Sequence, residues 1–105
     1  MPSDGLRALR AATQTDGAYI VVEDQAILNA IAALGKVGVF SEPAAATAYA
    51  GLVKAVESEH IEPNDPVLVM LTGSGLKDVK AAMRSVGEAP VISPNLESVR
   101  EVLKI

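Results

Sequence analysis

With 105 residues, half of them hydrophobic, the chain is one domain at most and has the means to bury a core, although Phe40, Tyr19 and Tyr49 are its only aromatic residues. Its net charge of −4 comes from interspersed acids and bases, which excludes the basic face of a nucleic-acid binder. Cysteine is absent, so there is no disulfide framework and no thiolate metal site. The polar, acidic start Met1–Gly5 carries no secretory or transit signature, and no apolar run is long enough to span a bilayer. These features predict a cytoplasmic protein without nucleic-acid or membrane partners.

In chain order, Ser3 or Asp4 caps a first helix with Leu6, Leu9 and Ala12 on one face, and Gly17 ends it. Ala18–Val22 reads as a short strand; its residues are β-branched or apolar without polar alternation, so both faces are expected to be covered. Asp24 caps a second helix with Ile27, Ile31 and Leu34 at helical spacing, stopped by Gly35 or Gly38. Glu42-Pro43 opens a third helix, since proline suits the first turn, with an inner stripe of Ala45, Ala48 or Tyr49, Leu52 and Val56. Pro63–Pro66 is a turn, and the apolar run Val67–Leu71 is a second strand. A helix bearing Leu76, Val79, Met83 and Val86 on one face follows and ends at Gly87. Ala89–Pro94 is extended, and Asn95 caps a last helix with Leu96, Val99 and Leu103.

Apolar strands separated by helical crossovers predict an α/β fold with a parallel sheet. Two or three strands make only a narrow sheet with two open edges, which reads as part of a larger sheet and incomplete as a domain.

Two segments invite a chemical reading. Thr72-Gly73-Ser74-Gly75-Leu76-Lys77-Asp78 lies between a buried strand and a helix, a place where a hydroxyl and free backbone N–H groups meet a ligand at a strand's carboxyl end. The ordinary alternative is a strand-to-helix turn in which glycine relieves strain and Ser or Thr caps the helix. The spacing fits neither a Walker P-loop nor the dinucleotide-binding fingerprint. Gly38-Val39-Phe40-Ser41-Glu42-Pro43-Ala44-Ala45-Ala46 places a carboxylate at a helix N-terminus, where the dipole favours it, followed by small residues that allow close approach of a helix or a flat ligand. His60 stands alone, so no metal site is expected. Lys36, Lys54, Lys77, Lys80 and Lys104 fall at solvated positions, and none has the desolvated setting of a Schiff-base lysine. No catalytic residue is assigned.

Both segments, in this order, resemble the C-terminal part of the threonine synthases, which are fold type II enzymes dependent on pyridoxal phosphate (PLP). Upstream, Asp4–Arg10 and Ile20–Ile27 are similar to the same family, so the resemblance runs from about Asp4 to Val86. It departs at Val37, where many relatives carry an acidic residue. The resemblance implies a three-layer, parallel-sheet portion of a two-domain PLP enzyme, with residues 1–105 forming a single C-terminal fragment. It implies that Thr72 hydrogen-bonds the pyridine nitrogen, that Gly73 and Gly75 keep the turn close to the ring, and that Glu42 and Ala44 lie at the cofactor's side. A neutral hydroxyl does not enforce protonation of that nitrogen and so moderates the ring as an electron sink. The family's cofactor-bearing lysine and its Gly/Asn-rich phosphate loop lie upstream and have no counterpart in these residues. The chain is therefore expected to be inactive alone, to bind no PLP covalently, to need the missing N-terminal portion as its partner, and to self-associate. With that portion it would serve the conversion of O-phosphohomoserine and water to threonine and phosphate. The alternative is a freestanding, non-catalytic module that holds a small anion at the Gly73/Gly75 turn or serves as an interaction surface.

Overall fold

A computed structural model describes residues 4–105. Helix α1 is Gly5–Gln14, α2 Asp24–Lys36, α3 Pro43–Glu57, α4 Val79–Val86 and α5 Leu96–Leu103, with a single 3-10 turn at Gly75–Lys77. Ser3 lies outside the described residues, and Asp4 stands at the start of α1 without a side-chain capping bond.

Local chemistry accounts for most of these boundaries. Helix α2 closes in a Schellman motif: Val39 N–H donates to Leu34 O and Gly38 N–H to Gly35 O, both at about 3.0 Å, with Gly38 at φ +83°. Pro43 opens α3 in the first turn, where its missing N–H has no partner to lose. The end of α3 repeats the Schellman pattern through His60 N–H to Ala55 O at 2.8 Å, but here Glu59 occupies the left-handed position at φ +57°. Asn95 caps α5, its Oδ1 accepting from Ser98 N–H at 2.8 Å, as expected.

The core is centred on α2, which packs against α3 on one side and α4 on the other. It consists of Ala30, Ile31 and Leu34 of α2, Ala46 and Ala50 of α3, and Ala81 of α4, bordered by half-buried Ile27, Tyr49 and Leu71. Alanine at these contacts lets the helices approach closely. Of the expected inner stripe of α3, Ala45 is buried and Tyr49, Leu52 and Val56 are half-buried, while the contacts with this core are made by Ala46 and Ala50. The expected inner face of α4 is turned outward: Leu76, Val79, Met83 and Val86 are exposed, and the buried residue is Ala81.

The expected parallel sheet is not formed among the described residues. Residues 17–23, 66–72 and 87–93 run without regular structure, and the one isolated bridge pairs Ser41 with Ser74 in antiparallel sense. Ile20 and Val67–Met70 nevertheless line one groove together with Ala48, Leu52 and Ala55 of α3. A strand exists only through its ladder partners, and among the described residues neither segment has one. Lys54 Nζ instead donates to Val21 O at 2.6 Å, taking an acceptor that a neighbouring strand could use.

The radius of gyration is 17.8 Å, well above the roughly 13 Å of a compact domain of this length. Neither α1 nor α5 contributes a buried residue, and Leu6, Leu9, Leu68, Met70, Leu96 and Leu103 are all exposed. The hydrophobic half of the composition is mostly uncovered. Among the described residues no helix is long and apolar enough to cross a membrane.

Candidate functional site: the junction of two loops

The loop before α3 and the loop before α4 meet edge to edge. Glu42 N–H donates to Gly73 O and Gly75 N–H to Phe40 O, each at 3.0 Å. These bonds flank the Ser41–Ser74 bridge. Two such bonds contribute about 1–3 kcal/mol net, and they join segments more than thirty residues apart.

The glycines make this contact possible. A Cβ on Gly73 would coincide with the Glu42 carboxylate, and one on Gly75 with the edge of the Phe40 ring. Gly75 is buried, and Gly73 and Glu42 are half-buried. The close approach that the two glycines were expected to offer a ligand is, on the side of the missing Cβ, taken by the chain's own side chains. Ser41 lies in the same seam, 2 % exposed, with its Oγ buried and without a hydrogen-bond partner.

The turn itself is more elaborate than the sequence suggested. Helix α4 does not start at the glycines. Ser74 Oγ first accepts from Leu76 N–H at 3.3 Å to open the 3-10 turn, and Asp78 then caps α4, its Oδ1 accepting from Ala81 N–H at 3.0 Å. Lys77 N–H and Asp78 N–H donate to Ser74 O and Gly75 O. The backbone N–H groups expected to be free for an anion are therefore engaged, that of Gly75 across the seam with Phe40 O and those of Leu76, Lys77 and Asp78 within the turn, and the helix N-terminus already holds a carboxylate. An anion at the Gly73/Gly75 turn would find these donors taken.

Thr72, immediately before Gly73, is exposed at the rim of the junction. Ala44 is exposed on the first turn of α3. Glu42 is the first residue before α3, and its Oε1 lies 3.4 Å from Lys77 Nζ. Of the residues singled out from sequence, Glu42 and Gly73 are brought into contact and Gly75 meets Phe40; Thr72 and Ala44 border them. Phe40, Ser41 and Lys77 lay within the two segments read from sequence but were given no role at the site. The available signals were the single Phe of the chain beside a glycine-rich turn and an acid and a base on the two loops. Among the described residues no three His, Asp or Glu side chains gather to hold a metal ion.

This donor set suits a flat, weakly basic heteroaromatic ring. It offers a neutral hydroxyl at an exposed rim, a carboxylate already held by a lysine, and a small side chain that leaves space beside them. On those grounds the residues fit PLP.

Residues 1–73 match the family model described as pyridoxal-phosphate dependent enzyme. The chain is 39% identical over 97 residues to a threonine synthase of Halalkalibacterium halodurans, covering 91% of the chain and 27% of that protein. It is 36% identical over 105 residues to one of a Bacillus species, covering 98% and 30%. It is 35% identical over 104 residues to one of Methanocaldococcus jannaschii, covering 98% and 26%. The chain thus spans between a quarter and a third of the length of these relatives. With more than two thirds of its residues inside the family model, the chain belongs to the pyridoxal-phosphate dependent enzyme family.

Proposed function

We propose that this chain forms one wall of the cofactor site of a threonine synthase-like enzyme of fold type II, completed by a further portion of the enzyme. The observation that carries the reading is the junction: two loops bound edge to edge through Glu42–Gly73 and Gly75–Phe40, with the Thr72 hydroxyl exposed at its rim. The reaction proposed for the completed enzyme is conversion of O-phosphohomoserine and water to threonine and phosphate, in keeping with the names of its relatives.

When bound, PLP supplies an electron-withdrawing ring to the reacting amino acid. Thr72 would hold the pyridine nitrogen through its hydroxyl, which places no full charge against it. Glu42 and Ala44 would flank the ring, the first as a fixed carboxylate and the second by leaving room. Gly73 and Gly75 serve this site by letting Glu42 and Phe40 close the seam beneath Thr72, so the hydroxyl is presented from a fixed backbone. No lysine of this chain is assigned the covalent attachment, which falls to the completing portion.

The same reading accounts for the uncovered apolar surface. Ala18–Val22 and Val67–Leu71 lie beside α3 and would enter a parallel sheet whose further strands come from the completing portion, giving the three-layer α/β arrangement. The exposed Leu76 of the 3-10 turn and Val79, Met83 and Val86 of α4 would be covered in the same way.

The test joins the full chain to the portion of the Halalkalibacterium halodurans threonine synthase that it does not match. The joined enzyme is expected to bind PLP with a visible absorbance band and to release phosphate and threonine from O-phosphohomoserine. A folded joined enzyme that takes up no cofactor would overturn the reading.

A further inference from the structure

We propose that Lys77 is a positioning residue for the cofactor site: it draws the Glu42 carboxylate off the N-terminus of α3 and pins it over Gly73, beside Thr72. This rests on the reading above and adds a residue whose part is played through another side chain.

Glu42 occupies the N-cap position of α3 with extended backbone, φ −74° and ψ 164°, yet makes no side-chain capping bond. A carboxylate at that place ordinarily interacts with the positive end of the helix. Here the side chain turns away and lies where a Cβ of Gly73 would stand. The cation that meets it is Lys77, Nζ to Oε1 at 3.4 Å. The two partners are unequal: the Glu42 side chain is 19% exposed and the Lys77 side chain 63%. The sheltered carboxylate is thus held from the solvent side by an ammonium reaching across the seam. The 3-10 turn sets the reach, since the Ser74 hydroxyl and carbonyl accept from Leu76 and Lys77 N–H and so fix the direction in which Lys77 leaves the backbone. Gly73 in turn has its carbonyl on Glu42 N–H, so Thr72, Gly73 and Glu42 form one unit whose outer closure is Lys77.

Without Lys77, the carboxylate is free to swing back to the α3 N-terminus. The negative charge would then leave the flank of the ring, and the seam would lose its outer tie. An ordinary exposed pair contributes little to stability; here the geometry of the carboxylate is used at the site.

The experiment is a double-substitution cycle in the joined enzyme, with Lys77→Met, Glu42→Gln and both together, plus Lys77→Arg and Thr72→Ala. Lys77→Met is expected to shift the absorbance maximum of bound PLP and to lower kcat about two- to fivefold with KM little changed, the range a partly exposed pair supports. Glu42→Gln should do the same, the double variant should be no worse than either single one, and Lys77→Arg should restore most of the loss. In the cofactor-free protein, amide exchange at Glu42 should rise by a similar factor in Lys77→Met and not in Lys77→Arg. Additive effects, or an arginine no better than methionine, overturn the proposal. Thr72→Ala separates the two levels. If it shifts the cofactor spectrum while Lys77→Met does not, Lys77 alone loses its role. If it leaves the spectrum unchanged, the cofactor reading falls and the role of Lys77 with it.

Discussion

Gly75→Ala is the most informative single perturbation of the junction. The added methyl would stand on the edge of the Phe40 ring, at a buried position. Overpacking of this kind costs about 1–3 kcal/mol. Parting of the loops would also remove the Gly75 N–H to Phe40 O bond, worth about 0.5–1.5 kcal/mol. Phe40 is 48% exposed, so its ring has somewhere to go, which favours the lower part of the sum. We expect about 2 kcal/mol of local destabilisation, or about thirtyfold faster opening at 1.4 kcal/mol per tenfold. The reporter is amide hydrogen exchange at Glu42, whose N–H is bound to Gly73 O across the seam and whose own residue is unchanged. Adding Gly75→Ala to Phe40→Ala removes the obstacle and should accelerate that exchange by less than about threefold, because the steric term is then gone. If Gly75→Ala leaves Glu42 exchange unaltered, or if its effect is the same with and without the Phe40 ring, the glycine does not serve the loop contact and the steric argument fails.

Three further outcomes follow from the same structure. The isolated chain should self-associate, because the α4 stripe and Val67, Leu68 and Met70 are uncovered; sedimentation at several concentrations showing a monodisperse monomer at the highest would contradict it. Glu59→Gly should stabilise the end of α3 by about 0.5–1 kcal/mol, since glycine takes the left-handed position without the penalty of a Cβ, offset in part by its unfolded-state entropy. Exchange at the His60 amide, bonded to Ala55 O, should slow accordingly, and unchanged or faster exchange would contradict it. Gly73→Ala should displace the Glu42 side chain and break the pair with Lys77, yet disturb the fold less than Gly75→Ala, because a flexible carboxylate yields more easily than a ring; a larger loss of thermal stability than for Gly75→Ala would reverse that ranking.

The helices were legible because their signals are local. Asn95 caps α5, Pro43 opens α3, and Gly38 closes α2 as their residue types dictate. Burial was not legible, because it depends on what the helices face. The stripe Leu76, Val79, Met83 and Val86 is a good inner face by periodicity, but in this chain α4 meets α2 through Ala81. The strands do not form among the described residues for a related reason: Val67–Leu71 has the composition of a buried strand, and no described segment lies beside it as a ladder partner. At the site, the two motifs and their glycines stood out in sequence, but their mutual fit did not. Backbone bonds between Glu42 and Gly73 and between Gly75 and Phe40 leave no mark on residue identity at either end except the absence of a side chain, and a glycine reads equally as a turn, a ligand approach or a contact with a distant loop.

The most direct test of the cofactor assignment compares Thr72→Ala with Thr72→Ser in the joined enzyme. Serine keeps a hydroxyl at the rim of the junction, while alanine leaves the pyridine nitrogen without its neutral partner. A lost hydrogen bond of that kind is worth about 1–3 kcal/mol, on the order of ten- to a hundredfold in turnover if it is felt in the transition state. Thr72 is exposed, so the thermal midpoint should change little in either variant. The account predicts a shifted cofactor spectrum and reduced turnover for alanine, with serine close to the parent. Equal losses for the two variants, or an alanine variant that simply unfolds, would make Thr72 a turn residue and contradict its place at the cofactor.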